Sequence, residues 1–238
     1  MRLIASIAYS LLTLMLMAGV GAVLLAFAPN SPLPTEWNPT KSLNVTDPIT
    51  PITQFKLQRA LANGLTCRAA LATGARFDSL SDLITSPQCG IADRVSLNRI
   101  GSASLRPVET RCQTALRLAM WFEHGIEPAA KQHFGQSISQ IQHSSSYSCR
   151  QIRSTNGSTG RMSTHATADS IDISGVTLSD GRKLTLLSGW LSGDARAPFF
   201  RDLRNSACTW FRVTLGPDYN SLHADHFHLQ HTGWGLCR

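Results

Sequence analysis

The stretch His223-Ala224-Asp225-His226-Phe227-His228-Leu229 decides how this chain is read. From His226 onward polar and apolar residues alternate, which is the period of a half-buried strand: His226 and His228 project to one face while Phe227 and Leu229 pack behind. Asp225 has the wrong parity for that strand and is expected in the turn or bulge before it. Upstream, Ile171-Asp172-Ile173 alternates in the same sense with Asp172 facing away from the core, and His165 precedes Asp172 by seven positions. A neighbouring strand can bring these polar faces together. The expected fold is α+β, a small antiparallel sheet carrying a polar site with flanking helices, preceded by an N-terminal transmembrane helix.

Half of the eight histidines lie between 223 and 231, whereas glutamate occurs only four times in the chain. Two imidazoles and one carboxylate make a three-ligand set that leaves one position of a tetrahedral zinc ion open for water. A structural zinc is more often closed by thiolates, and no cysteine lies inside either cluster. Asp169, at i+4 from His165, competes with Asp172 as a ligand if that segment is helical; the Ile-Asp-Ile alternation favours Asp172. His124, His133 and His143 are scattered and read as surface or locally satisfied side chains. His231 either supports the ligands from behind or lies at the surface.

Working outward, Phe55 to Cys67 has helical spacing with Gly64 as a late weak point, and Asp78 to Gln88 mixes polar and turn residues. Thr110 to Glu123 is expected as a helix closed by Gly125. Gly175 to Gly181 looks like a turn or hairpin, and Leu184 to Leu187 a strand. Pro198 is placed to open a helix whose Phe199, Leu203, Trp210 and Phe211 face the core, as does Trp190. Asp218-Tyr219-Asn220 shapes a turn, from which Tyr219 or Asn220 could line a cleft.

Residues Leu3 to Ala28 form a nearly unbroken apolar run. About 20 apolar residues span a bilayer, and the run exceeds the roughly 7–15 residues of a signal-peptide core. Pro29 directly after Ala26-Phe27-Ala28 disfavours cleavage, so residues 1–28 are expected to be an uncleaved anchor rather than a signal peptide. Arg2 and the terminal amine favour a cytoplasmic N-terminus. Residues 29–54 hold six of the eleven prolines and read as a semi-rigid spacer, with the domain occupying 55–238. All six cysteines follow the apolar run and none forms C-x-x-C, which in an exported domain implies disulfides with the pairing open among about 15 arrangements. The net charge of +7 is spread rather than striped. That pattern suits an anionic wall polymer or membrane surface better than nucleic acid, which is not an expected partner.

Ser163-Thr-His165-Ala-Thr-Ala168-Asp-Ser170-Ile-Asp172 followed by His226-x-His228 resembles the LAS metallopeptidases, whose signature is S-x-H-x-x-G-x-A-x-D. That group includes D-Ala-D-Ala carboxypeptidases, murein endopeptidases and the zinc-bearing domain of hedgehog proteins. A closer resemblance is to the extensin-like C-terminal family, carried by the same residues, Tyr147-Ser-Cys149-Arg150, Trp190, Ala207-Cys208, Leu215-Gly-Pro-Asp-Tyr-Asn220 and the terminal Cys237-Arg238. It covers most of 60–238.

The resemblance implies a hedgehog/D-Ala-D-Ala peptidase-like fold and one Zn2+ held by His165, Asp172 and His228. It makes Asp225 the general base, with His226 and His223 orienting water or stabilising the oxyanion. Ser163 would support the first ligand, and Arg161 would bind a substrate carboxylate. The activity implied is hydrolysis of peptidoglycan peptides by a protein of the inner membrane whose C-terminal domain is periplasmic; an activating partner is unidentified. The alternative is a noncatalytic module that binds wall or partner. Ala168 and Ser170 replace the Gly and Ala of the signature, and an added methyl at 168 could shift the ligand loop.

Overall fold

A computed structural model of the chain describes residues 2–28, 30–154 and 157–238. The chain divides into two compact units, Met1–Leu43 with Asp47–Ala60, and Asn44–Thr46 with Leu61–Arg238. In the first unit, α1 (Arg2–Phe27) is a continuous helix, and its Ser6–Phe27 portion is long and apolar enough to cross a membrane. A 3-10 turn at Thr35–Trp37 and α2 (Thr53–Ala60) follow. Lys56 Nζ donates to Thr35 O at 2.7 Å and Thr50 Oγ1 to Glu36 O at 2.9 Å, tying the proline-rich segment to α2.

The second unit opens with α3 (Gly64–Leu71). The single helix expected over Phe55–Cys67 is therefore two. Asn63 ends the first reading by capping α3, its side chain accepting the Thr66 N–H at 3.0 Å. Strands β1 (Ala75–Ser79), β2 (Leu83–Ser86), β3 (Cys89–Ile91), β4 (Arg94–Ile100) and β5 (Ala103–Arg111) lead into α4 (Cys112–Trp121). Helix α4 starts two residues later than expected because Thr110 and Arg111 still pair with β4. Gly125 does not close it; the chain passes through a π-helical turn, Phe122–Ile126, into α5 (Glu127–Phe134), which ends at left-handed Gly135.

Next come β6 (Ile138–His143), the hairpin β7 (Gln151–Ser154) and β8 (Gly157–Met162), β9 (Ser170–Leu178), β10 (Lys183–Thr185), and helices α6 (Leu186–Gly189) and α7 (Arg196–Trp210). The last strands are β11 (Val213–Leu215), β12 (Phe227–Gln230) and β13 (Leu236–Cys237). Gly175 is not in a turn but inside β9, where a Cβ would lie 2.2 Å from Leu184 O of β10.

The mixed α+β class is as expected, but the sheet is larger. Among the described residues nine strands join it in the order β1-β4-β5-β6-β9-β12-β11-β13, with β10 on β9. The pairs β5–β6 and β11–β13 are parallel and the rest antiparallel. Every residue of α4 is buried, and the helix packs against α3, α7, β4 and β5. Trp121 meets Phe227 of β12 edge-on at 6.4 Å between centroids and donates from Nε1 to Leu203 O of α7 at 3.1 Å. Trp190, Trp210, Phe199 and Phe211 are core residues, as read from the sequence. The six cysteines close as Cys67–Cys112, Cys89–Cys149 and Cys208–Cys237.

Candidate metal centre

Strands β9 and β12 lie side by side, with Asp172 directly opposite His228 in the antiparallel register. Opposed residues share a face, so both side chains leave the sheet together while Ile171, Ile173, Phe227 and Leu229 sink into the core behind them. His165 reaches the same point from the 3-10 turn Thr164–Thr167 that precedes β9. Ser163 caps that turn, its hydroxyl accepting the His165 N–H at 3.3 Å. Nε2 of His165 is 3.2 Å from Asp172 Oδ2 and 3.2 Å from His228 Nδ1, and His228 Nδ1 is 3.0 Å from Asp172 Oδ1.

The protonation pattern of His165 follows from its other nitrogen. Nδ1 lies 2.9 Å from the carbonyl of Ser146, which can only accept, so Nδ1 carries the hydrogen and Nε2 turns a lone pair to the cluster. Burial pushes the Asp172 carboxyl up, but the imidazoles of His165 and His228 against its two oxygens, in their protonated forms, outweigh burial and hold the group below the usual carboxylate range. Two nitrogens and a carboxylate within 4.8 Å of one another suit a cation. A tetrahedral zinc with bonds of ~2.0–2.1 Å sets its donors roughly 3.3 Å apart, close to the spacing seen, so the donor set fits that ion.

These residues form the floor of a cleft of about 670 Å³ that also has His223, His226, Tyr219, Asn220, Arg150 and Arg153 on its walls. Asn220 Oδ1 accepts the Leu222 N–H at 3.1 Å and lies 2.7 Å from His223 Nδ1, so His223 holds its hydrogen there and faces the cleft with an unprotonated Nε2. Its pKa is pushed down to about 4 by burial, then by His228 and His226. Asp225 sits in the bend before β12, as its parity required, but its side chain is 66% exposed and bonds His226 Nδ1 at 2.7 Å. The group directed at the floor is His226, whose Nε2 is 3.7 Å from Asp172 Oδ1, with Asp225 behind it.

Arg161, proposed from sequence as a carboxylate contact, is exposed on β8 and does not line the cleft; Arg150 and Arg153 do. Sequence reasoning missed Arg153, although Arg150 belongs to the noted Tyr147-Ser-Cys149-Arg150 run. The Cys89–Cys149 bond fastens the segment that supplies Ser146 O to His165. Asp169, the rival ligand, is turned away: Arg111 NH1 and Thr167 Oγ1 each donate to it at 2.8 Å. The backbone N–H of His231 donates to Asp169 O at 3.0 Å and its half-buried ring lies beside Thr114 and Asp169, against none of the three ligands; its pKa is pushed down to about 4 chiefly by burial. Ala168, the residue read from sequence against a glycine, has φ +51 and ψ 28, the left-handed region that favours glycine. The turn thus keeps a glycine-like shape with an alanine in it.

His124, His133 and His143 are satisfied elsewhere, by Val45 O, Asp202 and Arg106 O, as the scattered positions suggested. No curated protein and no solved structure matches the chain significantly. A family model does match, and it spans all the residues of the cleft floor and walls. Residues 65–238 match the model described as the extensin-like protein C-terminus, and the chain belongs to that family.

Proposed function

We propose that this chain is an exported, membrane-anchored zinc-dependent peptidase that hydrolyses peptide bonds of peptidoglycan, as a D,D-endopeptidase or carboxypeptidase. The observation that carries the reading is the set of three donors 3.0–3.2 Å apart at the floor of an open cleft, with a histidine–aspartate pair beside it. His165, Asp172 and His228 would hold the ion. When bound, zinc supplies Lewis acidity and lowers the pKa of a water to about 7.

The remaining work falls to the chain. Asp225 accepts the Nδ1 hydrogen of His226, so His226 Nε2 is the basic atom; it takes a proton from the attacking water and returns it to the leaving amine. The base role expected of Asp225 is in this reading exercised through His226, whose ring Asp225 orients. His223 Nε2, fixed by the Asn220 bond, accepts a hydrogen bond from water or substrate. Arg150 and Arg153 suit the carboxylates of an anionic peptide. The anchor helix, three disulfides and net charge of +7 support an inner-membrane protein with a cytoplasmic N-terminus and a periplasmic domain at the wall.

The exposure of Asp225 favours a second reading, a zinc-containing module that binds wall or partner without cleaving. Full-length oxidised protein in detergent, loaded with zinc, should be incubated with monomeric and crosslinked muropeptides and the products read by mass spectrometry beside His226→Ala. Loss of crosslinked dimer identifies an endopeptidase, and loss of a terminal alanine a carboxypeptidase. No product from a folded, zinc-loaded sample overturns the peptidase reading in favour of the binding module.

A further inference from the structure

We infer that Arg111 is a positioning residue for the metal centre: through Asp169 it fixes the turn that carries His165 and Asp172. The inference rests on the metal reading above. Asp169 lies four residues after one ligand and three before the other, at the point where the turn enters β9. Its N–H donates to Thr164 O at 2.9 Å, and its carboxylate accepts from Thr167 Oγ1 and Arg111 NH1, both at 2.8 Å. Its carbonyl accepts the N–H of His231, three residues beyond the ligand His228. One residue therefore joins the end of β5, the ligand turn and the end of β12.

The turn needs holding from outside because Ala168 lies in the left-handed region, where an alanine resists the shape. The Ala168 carbonyl is held from the same side, by Thr114 Oγ1 at 2.9 Å, one helical turn beyond Arg111. The Arg111–Asp169 pair is poorly exposed, at 26% and 15%. Without Arg111, the poorly exposed Asp169 carboxylate would be left to Thr167 Oγ1 and to the His231 ring, whose Nε2 lies 3.7 Å from its Oδ1. Pairing with Arg111 anchors the turn. Outer partners of this kind change metal affinity without touching the metal.

The test is zinc affinity of the full-length oxidised protein, measured by competition with a chelator, together with the visible spectrum of the cobalt-substituted form. The variants are Arg111→Met, Asp169→Asn, their double and Arg111→Lys, all compared in samples whose far-UV circular dichroism matches the parent. Expected are about 10–100-fold weaker zinc binding for each of the first two, a shifted cobalt spectrum, no further loss in the double, and partial recovery in Arg111→Lys. Asp169→Asn, which keeps the side chain's size, carries the test if Arg111→Met does not fold. Affinity within twofold of the parent in a folded variant, or an unchanged cobalt spectrum, overturns the inference while leaving the metal site standing. A parent protein that binds no zinc overturns both.

Discussion

His165, Asp172 and His228 at the cleft floor are held by groups far away in the chain, whereas His223 and Asp225–His226 on the rim are held by their neighbours. His165 answers to Ser146, and Asp172 to His228 across the sheet. His223 answers to Asn220, and His226 to Asp225. The floor is more deeply buried than the rim and depends on the whole sheet, while the rim is a local construction set on top. Metal affinity and folding should follow the floor, and catalytic rate should follow the rim.

The sharpest way to break that division is Asp172→Ala. Zinc affinity should fall by more than the roughly 10–100-fold expected for loss of an outer partner, read by chelator competition, and muropeptide cleavage should vanish with it. On the rim, His226→Ala should lower kcat/KM by about 10²–10⁴-fold with the zinc Kd within twofold of the parent, and Asp225→Asn should cost less. A zinc Kd that moves with the rim variants would show that the two regions are one. Phe227→Ala tests the floor's dependence on the core. This ring packs against Trp121 and Trp190, so its loss should destabilise by about 3–5 kcal/mol in urea unfolding.

The smallest effect is in pH. His231 has its pKa pushed down from 6.5 to about 4, so the unfolded chain binds its proton first as pH falls. The stability due to the neutral imidazole is complete above pH 6.5, declines towards pH 4 by about 3 kcal/mol, and falls no further below. In His231→Asn, urea midpoints between pH 7 and 4 should show a flatter decline. An unchanged slope would mean that His231 is not sequestered as a neutral ring.

The site was legible where residue parity alone determines direction. The alternation around Asp172 and His228 placed both on one face, and the odd parity of Asp225 placed it in a bend. What parity could not give was the direction of the Asp225 side chain, because a bend leaves it free to choose between cleft and neighbour. The missing strands have a similar cause. Val95, Leu97 and Ile100 of β4 are buried without strict alternation, because the register shifts between Leu97 and Arg99. Pro107 sits where β5 loses its pairing with β4, and a proline inside a run weakens its signal as a strand. Arg111 and Asp169 are 58 residues apart, and nothing local marks them as partners.

The register of β9 and β12 has a consequence for how this chain can change in length. Asp172 and His228 are joined through backbone pairing, not through the 55 residues between them in sequence, so residues can be inserted or deleted in the connecting turns while the two donors stay opposed. A single residue added within Ser170–Asp172 or His228–Gln230 is another matter, for it turns one donor to the other face of the sheet. Length variation among working versions of this domain should therefore collect in the loops, and these two short strands should keep their spacing to the residue.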